Sequence, residues 1–295
     1  MKRFFIFFLV IVLLCGCSAQ IPAQVAATTL PVYAFTSRLC DGTGITVTRL
    51  VTEEVSCLHD YSLNVKQVKA VESAELLVIS GAGLEEFLED LLRNRTVIDA
   101  SAGIDLLCSP EEQEHDHEEG RHHKEEGHHH ESDPHIWLSP VNAMRMVSNI
   151  ARGLTQAYPR YAETFSANEA ALLAQLEALQ AYGEDALSDL SCRELITFHD
   201  GFSYFAEAFG LTILEAVEEE SGSEASAKEL IHLINEVEHH NLPAIFTEIS
   251  GSVSAAGIIA RETGCGSFRL DMAMAGSSYF DAMYHNIDTI REALQ

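Results

Sequence analysis

The hydrophobic pattern switches between two periods along most of the chain. Short apolar or β-branched runs, suited to buried strands, are followed by stretches whose apolar residues recur every three or four positions. In the first half, 24–29, 45–51, 76–80 and 96–99 read as strands. Helices are expected at 31–39 with Pro31 in the first turn, at 65–74 behind Asn64 as cap, at 84–92, and at 140–158 opened by Pro140. The second half repeats the rhythm, with strands at 194–197, 211–214, 244–247 and 267–270. Its helices are expected at 202–209, 224–240, 254–263 and 279–293, with an acidic loop at 215–223. Between the halves, 161–187 is the longest helical pattern, rich in Ala, Leu, Glu and Gln and free of Pro and Gly before Gly183. At about 1.5 Å per residue such a helix spans roughly 40 Å, more than one small lobe needs.

This alternation predicts an α/β protein of two lobes, each a parallel sheet flanked by helices, joined by one long rigid helix, with a ligand cleft between the lobes. The divisions are a leader and tether at 1–20, a first lobe at 21–158, a linking helix at 159–190 and a second lobe at 191–295. The alternative is a single domain with a long surface helix.

One stretch breaks the pattern. Residues 111–131 hold seven of the fourteen histidines (His115, His117, His122, His123, His128, His129 and His130) among nine carboxylates. Such a segment has no apolar period and repels itself, so it cannot join a core. It is expected to form a disordered loop at 111–132 offering many weak ligands for borderline divalent metals such as zinc; the plainer reading is a solvated acidic linker. The net charge of −27, to which the tract contributes, excludes a nucleic-acid partner and draws cations.

Lys2, Arg3 and the apolar run 4–14 have the form of an export signal, too short to span a bilayer. Leu14-Cys15-Gly16-Cys17 resembles a bacterial lipobox, which makes Cys17 the lipid-modified residue and the protein extracytoplasmic and membrane-tethered; the alternative is ordinary cleavage near Ala19. Of the five remaining cysteines, Cys40 and Cys57 flank one short strand and form the best candidate disulfide, which would stiffen the loop carrying His59. Pairing among Cys108, Cys192 and Cys265 stays open.

Ligands of open parallel sheets bind beyond the carboxyl ends of the strands. The metal-capable residues placed there are His59 after 45–51, His199 after 194–197 and Asp271 after 267–270, joined by His135 in the Pro-bounded loop before a helix. Three imidazoles and a carboxylate suit a tetrahedral zinc site, whereas manganese or calcium would call for more oxygen donors. Each has a plainer alternative as a loop or cap residue. His232, His239, His240 and His285 fall on helical stretches as ordinary polar-face residues. Gly81-Ala82-Gly83 lacks the third glycine of a dinucleotide loop, and no Walker lysine, nucleophile elbow or HExxH is present. Glu248 is the only obvious candidate general base, and reads better as a structural or site-lining group.

Taken in order, Cys17, Leu58-His59-Asp60-Tyr61, the His-rich tract, Asp133-Pro134-His135-Ile136-Trp137-Leu138, the run from Phe198-His199-Asp200-Gly201 to Phe205, Phe246-Thr247-Glu248-Ile249 and Leu270-Asp271 resemble the zinc-binding receptors of bacterial ABC uptake systems, cluster A-I. The likeness covers essentially the whole mature chain, and the DPHxW segment is its most specific part. It implies a monomeric, non-enzymatic receptor that holds Zn²⁺ between two lobes and hands it to a permease with its ATPase. The first two histidines come from the first lobe, and histidine as third ligand favours zinc over manganese. An acidic residue near Asp271, or a water, completes the site. This chain departs from the pattern at Cys57-Leu58 and at Met272-Ala273, where relatives often carry proline. A manganese or iron receptor of the same fold, a secreted zinc hydrolase and an adhesin-like surface protein are the competing expectations.

Overall fold

The computed structural model describes residues 24–53, 55, 58, 61–108, 132–217 and 226–295. The first half runs β1 (Gln24–Ala27), α1 (Leu30–Leu39), β2 (Thr46–Arg49), α2 (Val65–Ser73), β3 (Leu76–Ile79), α3 (Glu89–Leu92) and β4 (Val97–Asp99). After α4 (Pro140–Ala157) and α5 (Ala162–Ala186), the second half runs β5 (Glu194–Thr197), α6 (Ser203–Phe209), β6 (Thr212–Ala216), α7 (Ala227–His240), β7 (Ala244–Glu248), α8 (Ser254–Thr263), β8 (Gly266–Leu270) and α9 (Tyr279–Leu294). The strands form two four-stranded sheets, ordered β2-β1-β3-β4 and β6-β5-β7-β8, with every pairing parallel. The two-sheet α/β architecture expected from the alternation is the one observed.

Side chains on successive strand residues point to opposite faces, and both faces of each sheet are apolar. Ala26 and Leu77 pack outward on Val71 of α2, while Val25, Ala27, Leu76 and Val78 face inward. In the second sheet Ile196 and Ile245 face α7 and α8, and Leu195, Ala244 and Phe246 face inward. The inward faces meet one shared set of helices. α4 presents Ala143, Met146, Val147, Ile150, Ala151 and Leu154 at helical spacing, and α5 presents Phe165, Leu172, Leu176 and Leu179. α5 packs on α1, α4 and α9, so a single buried core runs from Val25 to Leu294 across both halves. Gly183 lets the ring of Phe209 lie directly on α5; a Cβ there would stand 2.3 Å from it.

Three expectations need correction. The helix at 84–92 is a 3-10 turn, Glu86–Leu88, followed by the single turn of α3. Gly81, Ala82 and Gly83 all have positive φ, so the chain leaves β3 through a left-handed turn. That turn brings the Glu85 carboxylate back to accept from the Thr28 hydroxyl (2.6 Å), Ser80 N (2.7 Å) and Gly81 N (2.9 Å). The strand at 211–214 extends to Ala216, because Glu215 and Ala216 still pair with Ile196 and Thr197. α7 starts at Ala227, where Ser226 and Glu229 form a capping box legible as Ser-x-x-Glu. Residues 218–225 lie outside the described residues.

Burial pushes the Glu85 carboxyl up to about 7 against those three hydrogen bonds. Between about 4.5 and about 7 the group is protonated in the fold and ionised in the unfolded chain. The folded state then holds the extra proton, so stability falls as pH rises through that window and levels off above it. The unfolding free energy of wild type minus that of Glu85→Gln, measured in urea, should therefore drop by about 3 kcal/mol across the window. A pH-independent difference would contradict this.

Candidate metal centre

The segment 132–139 is pinned from several sides. Ser132 bridges to Cys108, Asp133 N donates to Leu107 O (2.9 Å), and Ile136–Leu138 turn as a 3-10 helix before Ser139 caps α4. Asp133 Oδ1 accepts from His135 N (2.9 Å) and lies 2.8 Å from His135 Nδ1. That carboxylate places the ring proton on Nδ1 and leaves the Nε2 lone pair free to bind a metal. Trp137 stacks edgewise on His135 with ring centroids 5.4 Å apart, and its indole N–H donates to Met272 O in the second half (2.8 Å). Tyr279 returns a hydrogen bond from its hydroxyl to Trp137 O (2.8 Å).

His199 leaves the carboxyl end of β5, next to β7, where the strand order of the second sheet reverses. Thr197 Oγ1 donates to His199 O (3.0 Å), and His199 Nδ1 lies 3.5 Å from Glu248 Oε1 at the end of β7. Both imidazoles thus carry a buried carboxylate at Nδ1. Their Nε2 atoms face each other at 3.4 Å, with the rings nearly perpendicular at 84°. Two metal–nitrogen bonds of about 2.05 Å at a tetrahedral angle would set the nitrogens about 3.3 Å apart. The observed separation fits two ligands sharing one cation, as it also fits an N–H···N hydrogen bond between the rings.

Asp271 directly follows β8. Its backbone is gripped by buried Asn286, which accepts from Asp271 N and donates to Asp271 O (2.7 Å each). Its Oδ1 accepts from Ala273 N (2.8 Å), as the alternative reading as a turn cap requires. Burial raises its carboxyl above the usual range, and the Ala273 hydrogen bond and His285 oppose the shift. It lines a cavity of about 120 Å³ with Val55, Ile249, Ser250, Met272 and Met274. Among the described residues no three His, Cys, Asp or Glu side chains gather closely enough to hold a metal. His135 and His199 are therefore brought together, and Asp271 is not grouped with them. His59 lies outside the described residues, as do Cys17, Cys57 and all seven histidines of the tract. The chain on either side of His59 is fixed: Leu58 is buried in the common core, Val55 reaches the Asp271 cavity, and Tyr61 donates to Glu53 (2.8 Å).

A family model described as zinc-uptake complex component A, periplasmic (ZnuA), matches residues 25–293. The chain belongs to the ZnuA family. Within it, the zinc-binding protein AdcA of Streptococcus pyogenes serotype M1 is 31% identical over 92% of this chain, and the zinc-binding lipoprotein AdcA of Streptococcus pneumoniae serotype 4 is 30% identical over 95%. The chain spans 56% and 58% of their lengths, a little over half. A crystal structure of ZnuA superposes with a TM-score of 0.79 at 29% identity, covering 93% of this chain and all of that one. The Zn(II)-bound ZnuA-like domain of Streptococcus pneumoniae AdcA gives 0.76 at 25% identity, covering 92% and 99%.

Other residues fall away from the ZnuA-family centre. His232 pairs with Glu215 (3.0 Å), His240 with Glu194 (2.9 Å) and Glu236 (3.6 Å), and His285 Nε2 meets Arg269 O (3.0 Å). Cys40 is a free buried thiol pushed up to about 12 by burial, so it does not form the disulfide expected with Cys57, and Cys108, Cys192 and Cys265 are free as well. Sequence reasoning left Asp133 unassigned and took Glu248 no further than a structural or site-lining group. The Asp-x-His spacing was the available sign for Asp133, whereas Glu248 needed the β5–β7 pairing. Replacing Glu248 by Gln should weaken Zn²⁺ binding by roughly 10- to 100-fold in a chelator competition, since the imidazole loses its orienting partner. Unchanged affinity would remove Glu248 from the centre.

Proposed function

We propose that this chain is an extracytoplasmic receptor that captures Zn²⁺ and delivers it to an ABC permease and its ATPase. The observation that carries the reading is the pair of converging Nε2 atoms, each backed by a carboxylate, at the spacing of two ligands on one tetrahedral ion. The named activity of the ZnuA family and the zinc-binding relatives support it. His135 and His199 supply two ligands, His59 a third from the first half, and Asp271 or a water the fourth. Asp271 would have to turn from Ala273 to take part.

Capture and release need no reaction, and membership of an uptake family gives no support to a hydrolase. The protein would work as a monomer of two lobes divided near 158 and 191. Cys17 would carry the lipid that holds it at the membrane, as the description of AdcA as a lipoprotein suggests. Among the described residues no helix is long and apolar enough to cross a membrane. The His/Glu tract at 111–132 would hold further zinc weakly and feed the fixed site.

Competition titration of purified protein tests this directly. Wild type should show one tight Zn²⁺ site and several weaker ones, and deletion of 112–131 should remove only the weaker class. His199→Ala should lose more than the roughly 10- to 100-fold that an orienting partner is worth. Equal affinity of His199→Ala and wild type would overturn the site, and loss of tight binding on deletion would overturn the division of roles.

A further inference from the structure

Tyr204 lies in the first turn of α6, five residues after His199, and is 1% exposed. Its phenol meets the other half's ligand segment at Asp133. The hydroxyl accepts from Leu107 N (2.9 Å) and donates to Asp133 O (2.9 Å). Leu107 and Asp133 are themselves joined by the Asp133 N to Leu107 O bond (2.9 Å). One oxygen therefore closes a ring of hydrogen bonds at the point where the chain arrives at Asp133. The Asp133 carboxylate, on the same residue, holds His135 through both its backbone N and its Nδ1.

We infer that Tyr204 is a positioning residue for metal capture, which sets the approach of His135 to His199 by fixing Asp133. This rests on the receptor reading above and deepens it. The segment 199–204 carries one ligand at its start and the anchor of the other ligand at its end. The space between them is tightly filled: Phe202 is buried, and a Cβ on Gly201 would fall 2.6 Å from the Met272 methyl and 2.7 Å from His199 Cδ2. A rigid segment that grips both ligands fixes the gap between their nitrogens before the ion arrives, and so lowers the ordering cost of binding. Burial pushes the Tyr204 phenol up to about 12, so it stays a donor at neutral pH. The bonds from Trp137 to Met272 O and from Tyr279 to Trp137 O hold the chain two residues beyond His135 and do not touch Asp133.

The test is a double-variant cycle on the full chain, with Zn²⁺ affinity read by chelator competition and folding by thermal unfolding. Tyr204→Phe keeps the ring and removes the oxygen. It should weaken Zn²⁺ binding about 10-fold, in the range of orienting partners. Leu172→Ala, a buried change on α5 away from the site, serves as a control for destabilisation alone and should leave the affinity unchanged. In an Asp133→Asn background Tyr204→Phe should cost little further, because its effect passes through Asp133. The proposal is overturned if Tyr204→Phe behaves like the control, or if its loss adds fully to that of Asp133→Asn. A wild-type measurement stands independently of any folding defect. Zn²⁺ should slow hydrogen exchange of the Leu107 amide more than that of Val78 in β3, since linkage between ion and clasp is reciprocal; equal slowing at both overturns the proposal. If wild type itself binds no Zn²⁺ tightly, the receptor reading fails first. If it binds tightly while Tyr204→Phe matches the control, only the role of Tyr204 falls.

Discussion

Two imidazole nitrogens facing each other at 3.4 Å, both with their other ring nitrogen turned to a buried carboxylate, are the constraint on which the molecule depends. Asp133 holds the His135 proton at Nδ1 and so turns that ring's Nε2 lone pair toward His199. Without a cation, an N–H···N hydrogen bond can join the two nitrogens; a tetrahedral cation at this spacing takes a lone pair from each. The carboxylates add negative charge at the far side of each ring, which raises the basicity of the ligand nitrogens and compensates the cation.

Holding that arrangement requires the two halves to be fixed to one another, and they share a core. His135 belongs in sequence to the first half, yet its turn is fastened by Trp137, Tyr204 and Tyr279 to groups on both sides of the boundary. α5 packs against helices of both halves, and Arg49 at the end of β2 donates to Gly276 O beside the Asp271 cavity (2.9 Å). The sheets also use equivalent positions differently. Between β5 and β7 the strand-order reversal carries His199 and Glu248. At the matching position between β1 and β3, Glu85 is hydrogen-bonded to Thr28, Ser80 and Gly81. One reversal point binds and the other braces.

Much of this was legible in the chain. Continuous apolar runs such as 76–80 and 244–247 and the helical stripe of α4 identified the strands and helices, because burial on both faces of a sheet and on one face of a helix leaves different patterns. The strand-end rule drew attention to His199, and the Pro-bounded Asp-x-His segment to His135. What escaped was set by tertiary structure. After the left-handed turn at Gly81, Ala82 and Gly83, the pattern at 84–92 that favoured one helix gives a 3-10 turn and a single α turn. Glu248 read only as a structural or site-lining group because its partner, His199, follows a strand that is adjacent only after β5 and β7 pair. Asp271 shows the limit of the strand-end rule: its position follows the rule, while its Oδ1 closes a local turn.

The most direct measurement is a zinc-soaked crystal structure with anomalous scattering collected at the zinc edge. The account requires one strong peak bonded to both His135 Nε2 and His199 Nε2 at about 2.0–2.1 Å, with Asp133 and Glu248 still on the Nδ1 side of each ring. A peak bonded to only one of these nitrogens, or a fully occupied ion elsewhere with the two imidazoles facing each other unbridged, would contradict it.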